Sequence, residues 1–125
     1  MKSLAPARIG AIRRALAGAA PADADGISVG YRAPWSDPAV IQAGSVDLVI
    51  SHSVLEHVVD LEQTYRALHQ WVRPGGWMSH QIDFTCLGTS RQWNGHRAYG
   101  ELTWKLIAGR RPYFVSREPL ATHVA

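Results

Sequence analysis

His80 and Asp83 sit three residues apart in a run that otherwise reads as a buried strand, Trp77-Met78-Ser79-His80-Gln81-Ile82-Asp83-Phe84. Proton-carrying side chains near the carboxyl end of such a strand are candidate general bases, because open α/β sheets place ligands beyond that end. Strand alternation puts His80 and Asp83 on opposite faces, which argues against a tight dyad. His96 is a more distant third candidate. His80, Asp83 and His96 could supply a two-histidine, one-carboxylate metal set, but no spacing fixes their geometry. His52 and His57 are five apart, which matches neither a helical zinc pair nor H-E-x-x-H, so no metal is expected. Cys86 is the sole cysteine; it excludes an intrachain disulfide and reads as a buried, neutral thiol. Trp77, Trp93 and Trp104 could wall an aromatic pocket, although core packing accounts for large aromatics equally well.

The elements that must position these residues lie between positions 46 and 84. Val46-Asp47-Leu48-Val49-Ile50-Ser51 is a short apolar, β-branched run, as in a parallel strand buried on both faces. Ser53 and Glu56 have capping-box spacing, and Asp60 with Gln63 repeats it ahead of a longer helix. In that helix Leu61, Tyr65, Leu68 and Trp71 share one face, while Glu62, Arg66 and His69 lie mostly on the other. Pro74-Gly75-Gly76 stops it, and residues 77–84 form the second strand. The order strand, helix, strand specifies a parallel pair joined by a crossover, whose right-handed form is strongly favoured.

Flanking elements are weaker. Residues 6–18 read as a helix with Ile9, Ile12 and Leu16 on one stripe, and residues 27–31 as a short strand interrupted by Gly30. Ala33-Pro34-Trp35-Ser36-Asp37-Pro38 is a loop in which each proline pushes its predecessor out of helix. Residues 98–108 read as a helix through Leu102, Leu106 and Ile107, ended by Gly109, and Tyr113-Phe114-Val115 as a strand. The last ten residues show no pattern.

At 125 residues the chain is one domain at most, with 46% hydrophobic and 18% charged residues, a globular composition. Residues 63–125 carry eight Lys/Arg against Asp83, Glu101 and Glu118. This basic half could attract nucleic acid or an anionic substrate, but no recognition motif or dense cation cluster accompanies it, so a solvated surface is expected and no nucleic acid. No apolar run reaches the ~18 residues of a membrane span, and the apolar stretch after Arg14 is shorter than a secretory signal needs. The expectation is a cytoplasmic protein with no membrane association.

Val-Asp-Leu-Val-Ile-Ser-His-Ser-Val-Leu-Glu-His at 46–57, followed by Tyr65-Arg66-Ala67-Leu68 and Arg73-Pro74-Gly75-Gly76, resembles the class I S-adenosylmethionine-dependent methyltransferases of small molecules. The resemblance covers roughly residues 27–84. It implies an α/β fold: a partial Rossmann-like parallel sheet containing the third, fourth and fifth strands of such an enzyme, with flanking helices. It implies S-adenosylmethionine as cofactor and a small-molecule methyl acceptor as partner. Ser51, His52 and Ser53 would then end the fourth strand beside the methionine part of the cofactor. Ser36 and Asp37 would follow the third, where an acid commonly holds the adenine amino group; a turn-initiating aspartate is the plainer reading of Asp37. His80 or Asp83 would take a proton from an acceptor that must lose one.

The family's glycine-rich turn is missing, since no Gly-x-Gly occurs in the sequence. The acid expected to hold the ribose is also missing, as are the strands between the third and fourth. Residues 1–125 therefore resemble a single partial methyltransferase domain, a central fragment. A non-catalytic remnant or interaction module is the alternative. Unpaired strand edges in a sheet without its centre would favour self-association or instability of the isolated chain.

Overall fold

The computed structural model describes residues 5–17, 27–33 and 37–124. The chain divides into two compact units, residues 1–35 and 36–125.

The second unit is built on a strand, helix, strand sequence: β1 (Val46–His52), α2 (Leu61–Trp71) and β2 (Val72–Gln81), preceded in the first unit by α1 (Pro6–Ala17). β1 and β2 pair in parallel, with Leu48 opposite Trp77, Ser51 opposite His80 and His52 opposite Gln81. α2 starts as its sequence requires: Asp60 is the N-cap and its carboxylate accepts from the Gln63 N–H at 2.8 Å. Its apolar face packs on one side of the sheet. Ala67, Leu68 and Trp71 meet Val46 and Val49 of β1, and the buried Trp71 donates from Nε1 to the Pro38 carbonyl at 2.7 Å. A second cluster, Leu55, Val58 and Leu61, packs against Tyr65 and Ile82.

The opposite side of the sheet is uncovered within this unit. Leu48, Ile50 and Trp77 are 51%, 70% and 76% exposed. A parallel sheet is normally buried on both faces, so this pair carries the sequence of a two-sided core with one side filled.

Several boundaries differ from expectation. β2 begins at Val72, so Arg73-Pro74-Gly75-Gly76 lies within it instead of forming a separate stop. The register jumps between Val46–Val72 and Leu48–Trp77, so the extra residues bulge out of the ladder. Gly75 has φ 78°, and a Cβ on Gly76 would lie 2.6 Å from Val72 Cγ1 and 3.0 Å from the Val46 carbonyl. Ser53 caps no helix; Leu55–His57 is a 3-10 turn without a side-chain cap.

The strand expected over residues 27–31 does not form. Ile27 makes a single bridge, and Val29 and Tyr31 remain exposed, with Gly30 between them offering no side chain to pack. Two paired strands are therefore present among the described residues, and the strand expected over 27–31 is not one of them. Within its own unit, α1 buries Ala11 and Ala15; of the expected stripe Ile12 is half-buried, while Ile9 and Leu16 are exposed.

After β2 come a 3-10 turn, Gly95–Ala98, then α3 (Glu101–Ala108) and α4 (Leu120–Val124), the last a helix with no sequence signal. Gly109 ends α3 at φ 60° as anticipated. Residues 113–115 form no strand; Tyr113 turns at φ 56° and Val115 is buried. The Ser116 N–H donates to the Glu56 carbonyl, tying this segment to the turn after β1.

Candidate active site

β1 and β2 place Ser51 and His80 side by side on the face toward α2, and Ser51 Oγ lies 2.8 Å from His80 Nδ1. These two residues entered the sequence reading in different roles; the parallel register makes them one unit. Tyr65 of α2 stacks edge-on over His80, with ring centroids 5.9 Å apart. Its hydroxyl lies 3.1 Å from Nδ1 of His123 in α4, whose ring also meets Phe84 edge-on. His80 Nε2 and His123 Nε2 are both buried without a protein partner. Both histidines line a cavity of about 940 Å³ with Tyr65, Met78, Ile82 and Leu120.

Electrostatics follow from this placement. Burial pulls the His80 pKa below its ordinary value. The same cause lowers that of His123; the Glu118 and Glu56 carboxylates oppose the shift, while His80 and Arg97 add to it. Burial raises the Tyr65 phenol. The pocket therefore holds two neutral imidazoles at neutral pH, each with an unused ring nitrogen. Such a site can accept a proton from a bound hydroxyl or hold an apolar molecule by one polar edge.

Asp83 does not join them. It lies beyond the end of β2, and its carboxylate accepts from the Thr85 N–H at 2.8 Å, which holds its pKa below the usual carboxylate range. His96 is buried elsewhere, against Trp104 of α3. Among the described residues no three His, Cys, Asp or Glu side chains are grouped to hold a metal ion.

At the carboxyl end of β1, His52 and Ser53 are exposed, and Ser53 Oγ lies 3.2 Å from His52 Nδ1. Ser53 has φ 52°, a left-handed backbone for a residue with a side chain, while its N–H continues the ladder to the Gln81 carbonyl. Asp37 is the N-cap of the 3-10 turn Pro38–Val40, where its carboxylate accepts from the Ala39 N–H at 2.9 Å. Ser36 lies outside the described residues. Trp77 and Trp93 are exposed and Trp104 packs on Phe114, so the three tryptophans do not wall one pocket. Cys86 is buried and its thiol donates to the Ser90 carbonyl.

Two contributors were missed by sequence reasoning. Tyr65 was legible as a core-facing residue of α2, and its position over the strand end was the unused signal. His123 had none, because the tail carries no periodicity. No helix among the described residues is long and apolar enough to cross a membrane.

Comparison with known proteins bears on the same stretch. The family described as "Methyltransferase domain" matches residues 29–79. The ubiquinone biosynthesis O-methyltransferase of Bordetella avium (strain 197N) is 44% identical over 54 residues, which make up 42% of this chain and 22% of that protein. The chain thus matches about a fifth of the length of that relative. No solved structure matches at a significant level. The matched residues contain β1, α2 and most of β2, so the strand, helix, strand unit of this chain is similar to part of a methyltransferase domain.

Proposed function

We propose that this chain serves methyl transfer from S-adenosylmethionine to a small-molecule acceptor, with β1 and β2 as the fourth and fifth strands of a Rossmann-like sheet. The observation that carries the reading is the parallel β1–β2 pair bridged by α2 inside the family-matched segment. The relative's description as an O-methyltransferase favours an oxygen acceptor.

The strand end suits one part of the cofactor. His52 and Ser53 present an imidazole and a hydroxyl to solvent where the backbone turns sharply, a donor and acceptor set that matches an amino-acid zwitterion. Ser51, His52 and Ser53 are assigned to that end, and Ser36 and Asp37 to the adenine amino group. Asp37 keeps lone pairs free beyond its cap to Ala39. When bound, the cofactor supplies an electrophilic methyl group on a sulfonium.

The chain's own part is positioning and proton handling. His80 takes the acceptor's proton at Nε2. For that nitrogen to accept, the ring proton must sit on Nδ1, from which Ser51 Oγ can accept it in a hydrogen bond; Ser51 thus serves as a positioning residue for the ring. Asp83 stands as a second, weaker candidate, its carboxylate already engaged by Thr85. Replacing His80 with Gln is expected to slow transfer by about 10²-fold or more in a labelled-methyl assay.

Calorimetry with S-adenosylhomocysteine tests the reading. Binding in the micromolar range is the expected result; no heat at about 1 mM ligand would overturn it. That negative outcome would support the second reading, a non-catalytic interaction module, which the lack of any Gly-x-Gly favours.

A further inference from the structure

A second groove, of about 660 Å³, opens between α3 and residues 114–119 and is separate from the His80 cavity. Three guanidinium groups gather around it, each on an aromatic face. Arg111 lies 4.1 Å from the centroid of Phe114, Arg117 5.3 Å from that of Trp104, and Arg97 5.5 Å from that of Phe84. Trp104 and Phe114 themselves pack with centroids 5.3 Å apart, so two of the three platforms form one wall.

A guanidinium lying on a ring has its plane fixed, and its N–H edge then faces sideways toward planar oxygen acceptors. The charge around the groove is incompletely balanced. Arg117 pairs with Glu101, whose side chain is 76% exposed at the rim. Arg97 and Arg111 form no ion pair among the described residues; their bonds go to main-chain carbonyls, Arg97 to Glu118 and Arg111 to Ile107 and Ala108. The Glu118 carboxylate is engaged by the Thr122 hydroxyl. One donor, Arg97 Nε, is buried with no partner at all, an uncommon state for a charged group.

From these placements we propose that the groove is an anion site, which takes the carboxylate or phosphate group of a small molecule between Arg97, Arg111 and Arg117. A neighbouring histidine registers the same field. His96 is 1% exposed, packs on Trp104, and has its pKa lowered first by burial and then by the charge of Arg97, with Arg117 adding to it. A bound anion offsets those two cations and moves His96 back up. The inference does not depend on methyl transfer, and it holds or fails without the cofactor.

The test follows His96 by NMR across pH in the full chain, with benzoate and inorganic phosphate as separate probes and sodium chloride at matched ionic strength as control. The expected result is a saturable shift below about 10 mM with at least one probe, together with a raised His96 pKa that chloride does not reproduce. Saturation by phosphate alone makes the natural ligand a phosphate; saturation by benzoate alone makes it a carboxylate. Arg97→Gln and Arg111→Gln should each weaken binding by about tenfold, a change typical of losing one charge-assisted contact. If Arg97→Gln does not fold by circular dichroism, Arg111→Gln carries the comparison, because its side chain sits at the exposed end of α3. An equal shift with chloride, or saturation unchanged in Arg111→Gln, overturns the proposal.

Discussion

Ser53 holds a side chain in a backbone conformation that glycine adopts more easily. Replacing it with glycine should raise stability by roughly 0.5–1 kcal/mol in urea unfolding, since the relief of left-handed backbone strain exceeds the added freedom of the unfolded chain. The same change should weaken cofactor binding if the hydroxyl serves as proposed. The histidines set the pH behaviour. His80, His96 and His123 all have pKa values lowered by burial, so the unfolded chain binds their protons more readily than the folded one. Their contribution to stability is present above about pH 6.5, the unfolded value, and is lost as pH falls through the lower folded values. Urea midpoints should accordingly drop between about pH 7.5 and pH 5.5, with the Asp83 contribution lost only at still lower pH. Sequence reading found His80 because a polar residue in an apolar strand stands out. It could not join His80 to Ser51, since that bond depends on register and not on either residue's neighbours.

Among the elements, α2 was legible almost to the residue. Its apolar period and the Asp60 cap both act within one turn of the chain, so tertiary context had little left to decide. β2 was misjudged at both ends for the opposite reason. Pro74-Gly75-Gly76 has the chemistry of a turn, yet Val72 can still pair with Val46 because the surplus residues are pushed out as a bulge. Gly76 is where that bulge is tightest: Gly76→Ala should cost about 1–3 kcal/mol, read as a lower urea midpoint at unchanged slope. In α3 the expected apolar stripe is only partly turned inward, with Ile107 half-buried. Leu102 and Leu106 face out, 74% and 76% exposed, while Trp104 turns in to meet Phe114, His96 and Arg117. Those partners come from irregular segments, which carry no period to read.

For the larger unit, residues 36–125, the dominant fact is a two-stranded sheet with one face bare. Leu48, Ile50 and Trp77 would be core residues in a two-sided α/β layer, and here they form an apolar patch of the kind through which copies can associate. Trp77→Lys should raise the monomer fraction in sedimentation velocity while changing unfolding free energy by no more than about 0.5 kcal/mol. Strand sequences buried on both faces look alike whether or not the covering layer is at hand, so composition gave no warning of this.

Ser51 and His80, partners in the ladder, are 29 residues apart along the chain. Their ring of backbone must close before any ladder bond forms, whereas the first turns of α2 need only near neighbours. Helical signal should therefore rise in refolding before the two strands meet, and the time to the native state is governed by that closure.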